Sequence, residues 1–189
     1  MSRRIKNHLL VTTVAVIFGM TLAAVALTAQ GSRIQRGADL APVPLDMTGL
    51  NPALVREGSY IVNAQGGCND CHTIPSYAAG GNPFAGEPTV INAACYLAGG
   101  APFGPGIVSR NLTPRGPDHL PANRTLDQFK EIMHHGRDFR NPPDATPILQ
   151  VMPWPVYGNM SDRELEAIYE FLRAIPTIDP RPAFCGPPM

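Results

Sequence analysis

An uncharged, mostly apolar run extends from Leu9 to Ala29, 21 residues, and Arg3, Arg4 and Lys6 precede it. A removable export signal has an apolar region of about 7–15 residues, and a spanning helix needs about 20. The length fits a retained anchor. Against this, Ala24-Val25-Ala26 has the small-x-small form of a cleavage site, and Thr12, Thr13 and Thr21 dilute the run. Residues 1–29 are therefore read as a signal peptide or membrane anchor. In both cases the cationic end stays inside and the chain after Ala29 is exported.

Residues 30–51 carry Pro42 and Pro44 among mixed polar residues with no lasting periodicity, which predicts an extended linker. Helical spacing then recurs three times. Asn51 as cap and Pro52 at the first helical position open a helix to about Ala64, with Leu54, Val55, Tyr60, Ile61 and Val62 as its apolar content. Thr125 to Gln128 form a capping box, Leu126, Phe129 and Met133 follow on one face, and Gly136 is the stop. Ser161 to Glu164 form a second box ahead of a stripe of Leu165, Ile168, Phe171 and Leu172 that ends before Pro176. Between Pro75 and Arg124 glycine and proline dominate without strand alternation, which predicts irregular loop. The prediction is an all-α, loop-rich domain over residues 52–189.

Composition sharpens this. The 189 residues hold 21 Pro and 18 Gly, below the level of disordered chains but enough for long ordered loops. A loop-rich chain of this size needs something more to fill its core. Fifteen basic and fifteen acidic residues cancel, which excludes a nucleic-acid footprint. Lys6 and Lys130 are the only lysines, so a broad lysine ring for steering acidic partners is excluded, which leaves arginines for a smaller patch.

Cys68-Asn69-Asp70-Cys71-His72 is C-x-x-C-H, the signature of covalent haem attachment. Two thiols at this spacing reach the two vinyl groups on one edge of a porphyrin. The adjacent His72 is then carried under the iron as an axial ligand. A zinc half-site would want a second ligand pair, which the scattered Cys95 and Cys185 do not supply. A dithiol redox site would want a βαβ pattern, which is absent. The motif occurs once, so one covalent haem c is expected.

The other axial ligand must come from later in the chain, where Met133, Met152, Met160, Met189, His119, His134 and His135 are candidates. Met152 is favoured, because Pro153 after it disfavours helix and holds an extended segment that can present a thioether. Met160 precedes the cap Ser161 and is placed to staple onto Leu165. Met133 belongs to an apolar helix face, and Met189 is terminal. His134 and His135 stand where polar side chains favour a helix C-terminus, and His119 lies in a proline-rich loop. Cys95 and Cys185 are the thiols left over in an oxidising compartment, and they are expected to pair. Closing a loop of that length is worth up to about 4–5 kcal/mol in chain-entropy terms.

The order Gly58-x-Tyr60, Cys68-x-x-Cys71-His72-Thr73, Asn111-Leu112-Thr113-Pro114, Phe129 with Gly136, Met152-Pro153 and Ser161-Asp162-x-Glu164-Leu165 resembles the class I cytochrome c superfamily. It is most similar to the monohaem modules in cytochrome subunits of membrane-bound bacterial alcohol and gluconate dehydrogenases. The resemblance covers about Asn51 to Pro176. It implies that the first and last helices cross beside the haem, and that the distal methionine maps onto Met152. The chain departs from the pattern in Arg115, where an acidic residue commonly follows the Thr-Pro, and in Cys95 and Cys185.

The function expected is that of an electron carrier, not an enzyme. Such a carrier passes single electrons between redox proteins of a respiratory chain, such as a membrane-bound dehydrogenase or an oxidase, on the periplasmic side of the cytoplasmic membrane. The alternative is a haem enzyme or gas sensor, peroxidase-like, with a labile distal site. A third reading is a structural subunit of a respiratory complex whose haem is one station in a wire.

Overall fold

The computed structural model describes residues 28, 30–139 and 148–186. The N-terminal signal or anchor, residue 28 apart, and Met189 lie outside them. Among the described residues no helix is long and apolar enough to cross a membrane.

The described part of α1 covers residues 30–40. Helices α2 (Pro52–Tyr60), α3 (Cys68–His72), α4 (Leu126–His135), α5 (Trp154–Tyr157) and α6 (Asp162–Ala174) follow. The predicted first helix is present but changes pitch: α2 passes into a π-helical turn over Ile61–Gln65. Asn51 caps it through its side-chain oxygen. Both predicted capping boxes form, at Thr125 with Gln128 and at Ser161 with Glu164. Extended structure among the described residues is slight. A two-residue antiparallel ladder pairs β1 (Pro114–Arg115) with β2 (Leu120–Pro121), inside the stretch expected to be irregular.

The core forms where α2 crosses α6. Val55, Ile61 and Val62 meet Leu165, Ile168, Phe171 and Leu172, all buried. Gly58 makes the crossing close: a Cβ there would lie 1.9 Å from the Ala167 carbonyl oxygen. The backbones touch because that position has no side chain. Tyr96 from the long loop closes the cluster, its ring edge-on to Phe171 at 6.5 Å.

The structure corrects the reading of residues 30–51. Residues 30–40 are helical, not extended. Gly37 is buried against α2, where a Cβ would stand 1.8 Å from the Arg56 carbonyl oxygen, and Arg33 lies over the Tyr60 ring. Beyond α1, Ala41, Val43, Leu45 and Met47 pack on the core, and the Asp46 N–H donates to the Ala174 carbonyl at the end of α6. The prolines forbid a helix here but not an extended strap. The apolar residues recur at every second position, the period of a chain with one face buried. The strap belongs to the folded body.

Candidate functional site

The left-handed Gly67 (φ 58°) turns the chain into α3, a helix of little more than one turn that carries Cys68, Cys71 and His72. All three side chains line one cavity of about 390 Å³, within the roughly 300–1,000 Å³ of small-molecule and cofactor sites. Its apolar wall comes from several elements: Ile61 and Val62 of the π-helical turn, Leu112, Phe129 and Met133 of α4, and Ile168 and Leu172 of α6. Met152 stands on the same wall.

His72 is oriented by the backbone. Its Nδ1 lies 2.8 Å from the Arg110 carbonyl oxygen. A carbonyl only accepts, so Nδ1 carries the proton and the lone pair is left on Nε2, the tautomer that a metal-ligating histidine adopts. Burial pushes the imidazole below its usual range, which favours the neutral form a ligand needs. The two cysteines are not joined to each other. Burial pushes the Cys68 thiol up to about 12, and Cys71 is raised as well, first by burial and then by the Asp70 carboxylate. A dithiol redox pair needs a thiol with depressed pKa, so the raised values speak against that use.

Met152 lies in a bend ahead of α5 rather than in a long extended segment. Gly136 (φ 67°) ends α4, and its carbonyl accepts from the Leu149 N–H. The Trp154 indole donates to the Leu149 carbonyl and lies flush on Gly136, where a Cβ would be 2.5 Å from the ring. Tyr157 donates its hydroxyl to the Gly66 carbonyl at 2.7 Å, which ties α5 across to the residue two places ahead of Cys68. The turn bearing Met152 is thus braced from α4 on one side and from Gly66 on the other.

Met160 and Met133 also line the cavity, so neither is only a staple or a core residue. Of the candidate histidines, His119 and His135 are exposed and none of the three lines the cavity. Both ring nitrogens of His134 face protein acceptors, the Gly158 carbonyl and the Asp162 carboxylate, which leaves no nitrogen for iron. Cys95 and Cys185 pair, with Cα atoms 5.4 Å apart, and so neither is left for a zinc site. Among the described residues no three His, Cys, Asp or Glu side chains gather into a metal-sized group.

The residues that sequence reasoning missed are polar. Arg110, Arg115, Arg124 and Arg137 line the cavity beside Asp138, whose carboxylate pairs with Arg110. The use of the Arg110 carbonyl on His72 has no side-chain signature. The Tyr157 hydroxyl bond needs the fold to bring positions 66 and 157 together. A scatter of arginines over 110–137 was the available signal for the rest.

The cavity fits a covalently held haem by its chemistry: two thiols on one helix, a neutral imidazole with a fixed lone pair, a thioether, an apolar wall and a cluster of cations. Comparison with known proteins agrees. The chain is 31% identical over 121 residues, 64% of its length, to the gluconate 2-dehydrogenase cytochrome c subunit of Pantoea cypripedii. It is 31% identical over 119 residues, 63% of its length, to the cytochrome c subunit of the quinone alcohol dehydrogenase of Gluconobacter oxydans strain 621H. The matches cover 23% and 21% of those two proteins, less than a quarter of either. No family model matches the chain, and no solved structure matches it significantly. Over nearly two thirds of its length, therefore, this chain resembles the cytochrome c subunits of gluconate and alcohol dehydrogenases.

Proposed function

We propose that the chain is a monohaem c-type cytochrome that passes single electrons between respiratory partners. In this reading Cys68 and Cys71 hold the haem through thioethers, and His72 and Met152 are the axial ligands. The observation that carries it is the fixed tautomer of His72 on the wall that also bears both thiols. The haem supplies a one-electron couple, and its potential follows from axial ligands, hydrogen bonding and burial. The protein supplies the rest. The apolar wall keeps water from the ring, and Arg110, Arg115, Arg124 and Arg137 offset the propionate charges. With His72 and Met152 both engaged, no site is left for substrate, which favours a carrier over a haem enzyme or gas sensor.

Acid–acetone extraction of protein exported by a haem-attaching host should leave the haem on the chain. The reduced protein should not bind carbon monoxide readily. Haem lost to the solvent phase would remove the covalent reading, and prompt carbon monoxide binding would put the sensor or enzyme reading first.

The relatives' names point to a dehydrogenase as the electron donor. The uncharged run from Leu9 to Ala29 supports a place on the periplasmic face of the cytoplasmic membrane, with that run as anchor. Full-length protein is expected to stay with membranes after a high-salt wash. Recovery of a soluble form beginning near Leu27 or Gln30 would show that the segment is cleaved.

A further inference from the structure

Residues 95–101 are buried throughout and touch the haem motif directly. The Gly99 N–H donates to the His72 carbonyl at 2.7 Å, and the Leu97 N–H donates to Thr73 Oγ1 at 2.9 Å. On its other edge this loop holds the segment that orients His72. The Leu112 N–H donates to Leu97, the Gly100 N–H donates to Ser109, and the Ser109 N–H returns a bond to Ala101. Arg110, whose carbonyl accepts from His72 Nδ1, lies between these bonds.

The C-terminal tail covers the third side. Asn111 donates its amide to the Ile178 carbonyl at 2.7 Å, and the Ile178 N–H donates to Thr113 Oγ1. Further on, a Cβ at Gly100 would strike the Arg181 guanidinium at 1.6 Å and the Cys185 carbonyl at 2.8 Å. The tail therefore presses on the residue next to Gly99. Its end is locked by the bridge from Cys185 to Cys95, both fully buried, at the start of the same loop.

We propose that the Cys95–Cys185 bridge makes the tail a positioning clamp for His72, holding the Arg110 carbonyl on Nδ1 and thereby setting the potential of the haem. This rests on the haem reading above. A hydrogen bond from Nδ1 to a carbonyl raises the basicity of the other ring nitrogen and favours the more oxidised metal. Loosening the clamp weakens that bond and raises the potential. Cys95 and Cys185 are positioning residues that act through the 95–101 loop and the 109–112 segment.

The test uses the intact holoprotein and a variant with Cys95→Ala and Cys185→Ala, small residues suited to a buried site. Two quantities are read: the midpoint potential, and the exchange rate of the His72 Nδ1 proton by NMR of the reduced protein. The variant is expected to shift the reduction equilibrium about tenfold toward the reduced form, about 59 mV for a one-electron couple, and to exchange that proton at least tenfold faster. An unchanged or lowered potential overturns the proposal, as does a proton that exchanges no faster. Should the variant fail to fold, the wild-type holoprotein is measured instead, with its bridge opened by a phosphine that is then removed under argon. The same two readouts apply. Failure of the haem reading would look different, because the wild-type chain would then carry no covalent haem.

Discussion

Met152→Ala is expected to abolish the weak long-wavelength sulfur-to-iron band of the oxidised protein and to let carbon monoxide bind the reduced form. The potential should fall, on the order of 100 mV, a fraction of the about 0.8 V that axial ligands span. Three methionines line the cavity, so the control matters. Met160→Ala should keep the band. Its stability loss should stay below the about 2–5 kcal/mol of a fully buried methionine, because Met160 is only half-buried. A band that survives loss of Met152 and vanishes with Met160 would exchange their roles. Absence of the band from the wild type would open the distal position and favour the enzyme or sensor reading.

Cys68→Ser combined with Cys71→Ser is expected to yield a chain without covalent haem and without a stable fold. Without the haem, the apolar wall of Ile61, Val62, Phe129, Met133, Ile168 and Leu172 is left to water, at about 25 cal/mol per Å² of apolar surface. Total stabilities run about 5–15 kcal/mol. The cavity wall includes residues of α2's continuation, α4 and α6, so this loss falls on the main packing interface. Circular dichroism of the exported double variant should show most helix lost. A cooperative thermal transition with native helix content would mean that the core holds without the cofactor.

The helices that frame the cavity were legible because each carries its own start signal. Asn51-Pro52, Thr125 with Gln128 and Ser161 with Glu164 are local chemistry, and all three caps form. The cysteine motif was legible for the same reason: its geometry lies within five residues. What escaped was non-local or backbone-borne. The strap at 41–47 alternates apolar residues, but Pro42 and Pro44 between them give it the composition of a linker. The Arg110 carbonyl acts on His72 from 38 positions away, and no side chain announces it. At Met160 the local pattern shows only the staple onto Leu165, since a staple is a sequence pattern and a cavity wall is not.

The contact at Gly37 changes what an anchor would accomplish. A flexible 22-residue leash would let its cargo wander about 25 Å from the point of attachment. Here residues 30–40 are a helix seated on α2 with backbone touching backbone, followed by a strap bound to the core. Eleven helical residues rise only about 16 Å, and they do so along the body of the domain. A chain held in the bilayer by Leu9–Ala29 would therefore sit close to the membrane, at a height limited because the folded body begins at residue 30. Electron donor and acceptor would each have to meet it within that height. Partner selection would then depend on vertical register as much as on surface charge, which suits a chain that has only two lysines.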